Sequence, residues 1–175
     1  MIDLLDQIPL PTLVVSGAVV CVAFAGGLLT QIGPWYENLR FPSWRPPNWL
    51  FGPAWTTIFL LVAIAAIKAW DRAPTDRARA LLIALFAVNA VVNVAWSALF
   101  FRLRRPDWAL VDVAALWLSI VALIGFCAGF SEQSAWLLAP YLAWVSFASY
   151  LNLVMVRLNA PFRTHPFFKN GRRRA

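Results

Sequence analysis

IFLLVAIAAI, residues 58–67, is apolar at every position. A strand of a membrane β-barrel would alternate apolar and polar side chains over about ten residues, and this run does not. Only helices and closed barrels satisfy their backbone groups in lipid, so a run of this kind in a membrane is helix. Working outward, the uncharged stretch extends until it meets Arg45 on one side and Lys68 on the other. The same gap in Asp, Glu, Lys and Arg recurs between Asp6 and Glu37, Arg79 and Arg102, Asp112 and Glu132, and Glu132 and Arg157. Each gap is about 18 residues or longer, enough for a helix to cross the hydrocarbon core. The spacing predicts spans over about residues 10–30, 50–70, 80–101, 108–130 and 135–157. The expected fold class is all-α, an integral membrane bundle of five transmembrane helices.

Composition agrees. Of 175 residues, 61% are hydrophobic and 13% charged, with a mean hydropathy of +0.67. Water-soluble domains carry about a quarter charged residues. One membrane domain is expected over 1–159, followed by a basic tail over 160–175. Asp3 and Asp6 precede the first span where a signal peptide would carry Lys or Arg, and no Ala-x-Ala site follows a short apolar core. That span reads as an uncleaved helix. Cys21 and Cys127 fall within spans, without partners for a disulfide network or a metal site, and read as packing residues. No nucleophile–base pair, metal cluster or phosphate loop is visible, so the residues point to no enzyme and no required cofactor.

The net charge of +7 is unevenly divided. One side holds Arg40, Arg45, Arg102, Arg104, Arg105, Arg157, Arg163, Lys169, Arg172, Arg173 and Arg174, eleven in all. The other holds four, Lys68, Arg72, Arg77 and Arg79. By the positive-inside rule the C-terminus is cytoplasmic and the N-terminus outside, and a bacterial membrane is the expected location. The arginines of the tail read as an anchor near anionic headgroups of the lipid bilayer and not as a nucleic-acid site.

The first connection is unusual. WYENLRFPSWRPPNWLFGPAW, residues 35–55, holds four of the chain's ten tryptophans. Pro42, Pro46 and Pro47 disfavour helix and impose extended or turn backbone. An aromatic belt at the interface needs no such scaffold, so the segment reads as a lid or wall over a binding site. On the third span Asn89, Asn93, Trp96 and Phe100 share one face. Two amides at that depth are costly unless they meet protein or a polar ligand. Both readings stand, a hydrogen bond between helices and a ligand contact. The opposite face, Ala84, Ala87, Val91 and Ala98, suits close packing or a homodimer seam. Gly17, Cys21 and Ala25 make a similar stripe on the first span. Trp55, Phe59, Val62 and Ala66 line one face of the second span. Trp136, Pro140, Trp144, Ala148 and Leu151 line one face of the fifth. Two facing indoles with asparagines nearby suit a flat apolar ligand. Asp112 is expected to pair with Arg102, Arg104, Arg105 or the tail.

The pattern WY..L..P.W.PP.W.F...W over 35–55 resembles the tryptophan-rich sensory protein (TspO/MBR) family, which includes the mitochondrial translocator protein. N..W...FF over 93–101, WALVD over 108–112 and PYLAW..FA..LN over 140–152, with Arg157, match as well. The resemblance implies a five-helix bundle, commonly a homodimer, with a pocket between the helices covered by the first loop. The family's ligands are porphyrins such as protoporphyrin IX, benzodiazepine-site compounds and, in animals, cholesterol. The implied pocket residues are Tyr36, Trp44, Trp49, Trp55, Asn93, Trp144, Phe147, Ala148 and Leu151. Trp55 and Trp144 match the tryptophans proposed to act in light-dependent porphyrin breakdown. Leu153 stands where the animal sterol motif has tyrosine, which argues against sterol binding. Asn89 replaces a common glutamine, and Ala98 replaces a common proline, which predicts a straighter third helix. The expected function is binding of protoporphyrin IX, haem or a related tetrapyrrole as ligand, in sensing, transport or regulation. The alternatives are light-dependent porphyrin degradation and a regulatory role toward other membrane proteins.

Overall fold

The computed structural model describes residues 9–162. Asp3, Asp6 and the tail from Arg163 onward lie outside the described residues. The elements are α1 (Leu10–Leu29), α2 (Pro34–Glu37), α3 (Asn48–Arg72), α4 (Asp76–Ser97), α5 (Pro106–Ala128) and α6 (Glu132–Asn159). Five of them are long and apolar enough to cross a membrane, and α2 is a single turn within the first connection. No strand occurs among the described residues. The protein is an integral, multi-pass membrane protein.

The helices α3, α4, α5 and α6 each run past a charge that bounds their gap, because backbone hydrogen bonding continues into the interface and stops only at local signals. Pro106 opens α5 where a missing N–H costs nothing. The Thr75 hydroxyl accepts from the Ala78 N–H at 3.1 Å and caps α4. Because α3 starts at Asn48, ahead of the expected residue 50, Pro53 stands inside the helix and not in its first turn. There it removes a backbone bond. One helical turn on, the Thr57 hydroxyl donates to the Pro53 carbonyl at 3.0 Å.

The third span departs more. Past Ser97 the chain widens into a π turn over Ala98–Arg102, and the Leu103 N–H donates to the Ala98 carbonyl at 2.9 Å. Replacing proline by alanine therefore does not leave a plain α-helix. The extra residue in this turn shifts the helical phase, so that adjacent Phe100 and Phe101 both face the bundle interior. Arg104 closes the turn at φ 54°, a left-handed conformation uncommon outside glycine.

The spans form a ring in the order α1, α3, α6, α5, α4, with α1 against α4 closing it. The solid part of the core lies where α5 and α6 pair, around Ile120, Leu123, Cys127, Leu138 and Val145. Ala65 and Ala69 of α3 join it fully buried, as small residues do where helices approach closely. No residue of α1 is buried. Its Gly17 and Cys21 remain exposed, so the expected close-packing stripe is not used among the described residues. The close approach falls at Gly26, where a Cβ would stand 3.9 Å from the Ser97 hydroxyl. Ala84, Ala87 and Val91 face outward from α4.

Asp112 does not pair with the loop arginines, and its expected alternative partner, the tail, lies outside the described residues. Arg105 forms a bidentate pair with Asp107, at 2.8 Å and 2.6 Å, and neither Arg102 nor Arg104 reaches Asp112. Proximity explains the choice, since Asp107 sits two residues from Arg105 in the first turn of α5. The Asp112 Oδ2 is buried and has no hydrogen-bond partner among the described residues.

Candidate functional site

Between the spans a cavity of about 430 Å³ remains beneath the first connection. Small residues of α1, Ala23, Gly26 and Gly27, form one wall and leave room that larger side chains would fill. Facing it, α3 contributes Phe51, Trp55 and Phe59, α4 contributes Asn93, Trp96 and Ser97, and α6 contributes Trp144, Ala148, Leu151 and Asn152. Val113 and Leu116 of α5 lie at the back, and Tyr36 of α2 closes the lid end. The volume falls within the range of small-molecule sites, roughly 300–1,000 Å³.

Six of the nine residues singled out from the sequence meet here: Tyr36, Trp55, Asn93, Trp144, Ala148 and Leu151. Three do not. Trp49 is 71% exposed; it lies six residues before Trp55, about a third of a turn off that face. Trp44 stacks on Tyr150 at 5.4 Å between ring centroids, on the outside of α6. Phe147 packs edge-on against Trp44 and lines a separate outer groove between α3 and α6. Trp144 belongs to both spaces and is the partition between them. Trp96, Phe100, Phe101 and Asn152 also line the cavity, although the sequence reading did not place them in the pocket. Trp96 and Phe100 were legible, since they share the Asn93 face. Phe101 was not, because only the π turn brings it inward.

Of the two readings of the α4 amides, the structure shows the hydrogen bond between helices. The Asn93 Nδ2 donates to the Tyr141 hydroxyl at 2.9 Å, which donates to the Asn89 Oδ1 at 3.3 Å. The Asn89 Nδ2 donates to the Ser119 hydroxyl at 2.8 Å, which donates to the Leu116 carbonyl at 2.7 Å. This chain ties α4, α5 and α6 together. Asn89 serves the bundle, whereas Asn93 anchors the network and also faces the cavity.

Among the described residues, no Asp, Glu, Lys, Arg or His lines the cavity. Its polarity comes from groups that lack partners. The indole N–H groups of Trp96 and Trp144 are buried and have no hydrogen-bond partner among the described residues, and the same holds for the Asn152 Oδ1. The other end of that amide donates to the Pro106 carbonyl at 3.1 Å, which fixes its orientation. Buried polar atoms without partners are uncommon. Two donors and one acceptor left open among the cavity-lining residues suit a ligand with a few polar atoms on a largely apolar frame. At the lid end, burial raises the Tyr36 phenol above its ordinary value of 10.0, opposed in part by the nearby Arg45 guanidinium. Tyr36 therefore stays protonated at neutral pH. No group of three or more potential metal-ligating side chains occurs among the described residues.

The profile of the TspO/MBR family matches residues 14–158, which take in the whole cavity and nearly all of the five spans. The chain belongs to the TspO/MBR family. The tryptophan-rich protein TspO of Chlorobaculum tepidum is 40% identical over 145 residues, 82% of this chain and 92% of that protein. Protein CrtK of Rhodobacter capsulatus is 36% identical, over 81% of this chain and 88% of its own length. The human translocator protein is 33% identical over 74% of this chain and 77% of its own. In this TspO/MBR chain the tryptophans divide by role, with Trp55, Trp96 and Trp144 in the cavity and Trp44, Trp49 and Trp136 facing outward.

Proposed function

We propose that this protein binds a tetrapyrrole, protoporphyrin IX or a close relative, in the cavity between its helices, and acts in tetrapyrrole sensing, transport or regulation. The observation that carries this reading is the pair Trp55 and Trp144 on adjacent helices of one uncharged cavity. Flat aromatic ligands stack on such rings, and the indole N–H of Trp144 is free to donate. Titration of the purified protein with protoporphyrin IX should quench tryptophan fluorescence saturably at one site per chain. Absence of saturable quenching would remove the reading. A second reading, light-dependent porphyrin breakdown with dioxygen as the oxidant, is favoured by the placement of both tryptophans in the same cavity. It requires that porphyrin be consumed with turnover under illumination, which simple binding does not.

Assembly and orientation belong to the same proposal. The outward face of α4 at Ala84, Ala87 and Val91 is small and smooth, and we place a homodimer seam there. Ala87→Trp should then reduce the dimer in mild detergent without loss of helicity, and an unchanged dimer would move the seam elsewhere. The lid and tail are assigned to the cytoplasmic side by their arginines. Single cysteines at Asn38 and at Asn170, the latter outside the described residues, should resist labelling from outside intact cells. Labelling of either would reverse the orientation.

A further inference from the structure

The cavity carries no charge, yet its mouth does. Arg45 lies half-buried in the first connection with its guanidinium 3.8 Å from the Phe41 ring centroid and 5.7 Å from that of Tyr36, which lines the cavity. Arg104, an exposed residue, follows the π turn that carries the cavity residues Phe100 and Phe101. Its guanidinium sits 5.9 Å from the Trp35 centroid, and Trp35 meets the cavity residue Phe100 edge-on at 6.1 Å. Neither guanidinium is ion-paired among the described residues, because Asp107, the nearest acid in sequence to Arg104, is held by Arg105. Arg104 also occupies a left-handed backbone position at φ 54°, a conformation that costs a non-glycine residue free energy. Aromatic contacts thus hold two cations at the mouth of a neutral, aromatic chamber, without the counter-charge that would normally accompany them.

A guanidinium with its donors free is suited to a carboxylate or phosphate oxygen. The described lining of the cavity holds no cation, so a carboxylate buried there would lack a counter-charge. We propose that Arg45 and Arg104 form an anion-binding rim, and that the ligand is a flat amphipathic acid whose apolar body fills the cavity while its carboxylates project to these two side chains. This rests on the tetrapyrrole reading of the cavity and deepens it, because it selects acidic tetrapyrroles over their neutral counterparts and sets which edge enters first. The bland alternative, arginines that only anchor the lid at the lipid headgroups, predicts no preference between acid and ester.

The test compares protoporphyrin IX with its dimethyl ester by fluorescence titration in a non-ionic detergent free of phospholipid. The protein should bind the acid about tenfold more tightly, and raised salt should narrow the gap because Arg45 is only half-buried and Arg104 is exposed. Arg45→Gln and Arg104→Gln should each weaken the acid about threefold and leave the ester unchanged, and the double variant should abolish the preference. Arg102→Gln, an exposed cation at the same end without these aromatic contacts, should change neither. Equal affinity of the unaltered protein for acid and ester would overturn the rim while leaving the cavity reading intact. So would equal loss of both ligands in the two variants, which would mean that the lid had collapsed, or an Arg102→Gln effect of the same size. Binding of neither porphyrin would remove the rim together with the tetrapyrrole reading.

Discussion

Replacing Trp55 or Trp144 by alanine is expected to weaken protoporphyrin IX binding by about tenfold to a hundredfold. Stacking of a base on one aromatic ring is worth roughly 1–3 kcal/mol in other systems, and about 1.4 kcal/mol is a factor of ten in affinity. A porphyrin offers a larger π face than a base, so the upper part of that range is the relevant one. Both rings are held in place by neighbours. Trp55 stacks on Phe59 at 5.4 Å, and Trp144 meets Phe51 at 5.6 Å and Phe147 at 5.7 Å. Phenylalanine at either site should cost less, because it keeps a ring. At Trp144 it should still cost something, because the free indole N–H is lost. If light-dependent breakdown also occurs, Trp→Phe should abolish porphyrin consumption while most of the binding survives, because indole is the more easily oxidised ring. Trp70 is the control. It packs near Arg79, whose guanidinium is 5.4 Å from its centroid, and it does not line the cavity. Fluorescence titration of these variants decides the matter. Losses at Trp70→Ala equal to those at the other two positions would mean general destabilisation, and the site would have to be moved.

Asn159→Ala should release the lid. Asn159 is the last residue of α6, and its Oδ1 accepts from the Arg40 N–H at 2.8 Å while its Nδ2 donates to the Arg40 carbonyl at 2.9 Å. A third bond, from the same Nδ2 to the Met155 carbonyl at 2.8 Å, orients the amide. One side chain thus clamps both backbone groups of a residue 119 positions earlier in the chain. Each such bond contributes about 0.5–1.5 kcal/mol net. Losing the two across the gap should therefore speed amide exchange in residues 36–47 by roughly tenfold to a hundredfold. Hydrogen exchange followed by mass spectrometry reads this directly and without any ligand. Arg40→Gln should leave exchange unchanged, because only the backbone of Arg40 is used. Unaltered exchange in Asn159→Ala would mean that Trp44 on Tyr150 and Tyr36 among Phe41, Phe100 and Phe101 hold the lid by themselves.

The amino-acid sequence by itself determined the five spans, because a charge in hydrocarbon is so costly that its absence over 18 or more residues marks a helix on its own. It also placed Asn93, Trp96 and Phe100 on one face, since residues at multiples of a helical turn share a face whatever surrounds the helix. The order of the helices around the ring was beyond its reach. In lipid the outward faces are as apolar as the inward ones, so no polar stripe tells which side of α1 or α4 meets a neighbour. The same lack of contrast made Trp44, Trp49 and Phe147 indistinguishable from Trp55 in a chain with ten tryptophans. Other features depend on groups that come near each other only once the chain is packed. The π turn at Ala98–Arg102 turns Phe101 inward by adding a residue to a turn, which no periodicity encodes. The clamp of Asn159 on Arg40 joins the end of the last helix to the lid of the first connection. Only the tertiary structure decided these, because a hydrogen bond or an ion pair is chosen by distance in space, and a sequence carries distance only along the chain.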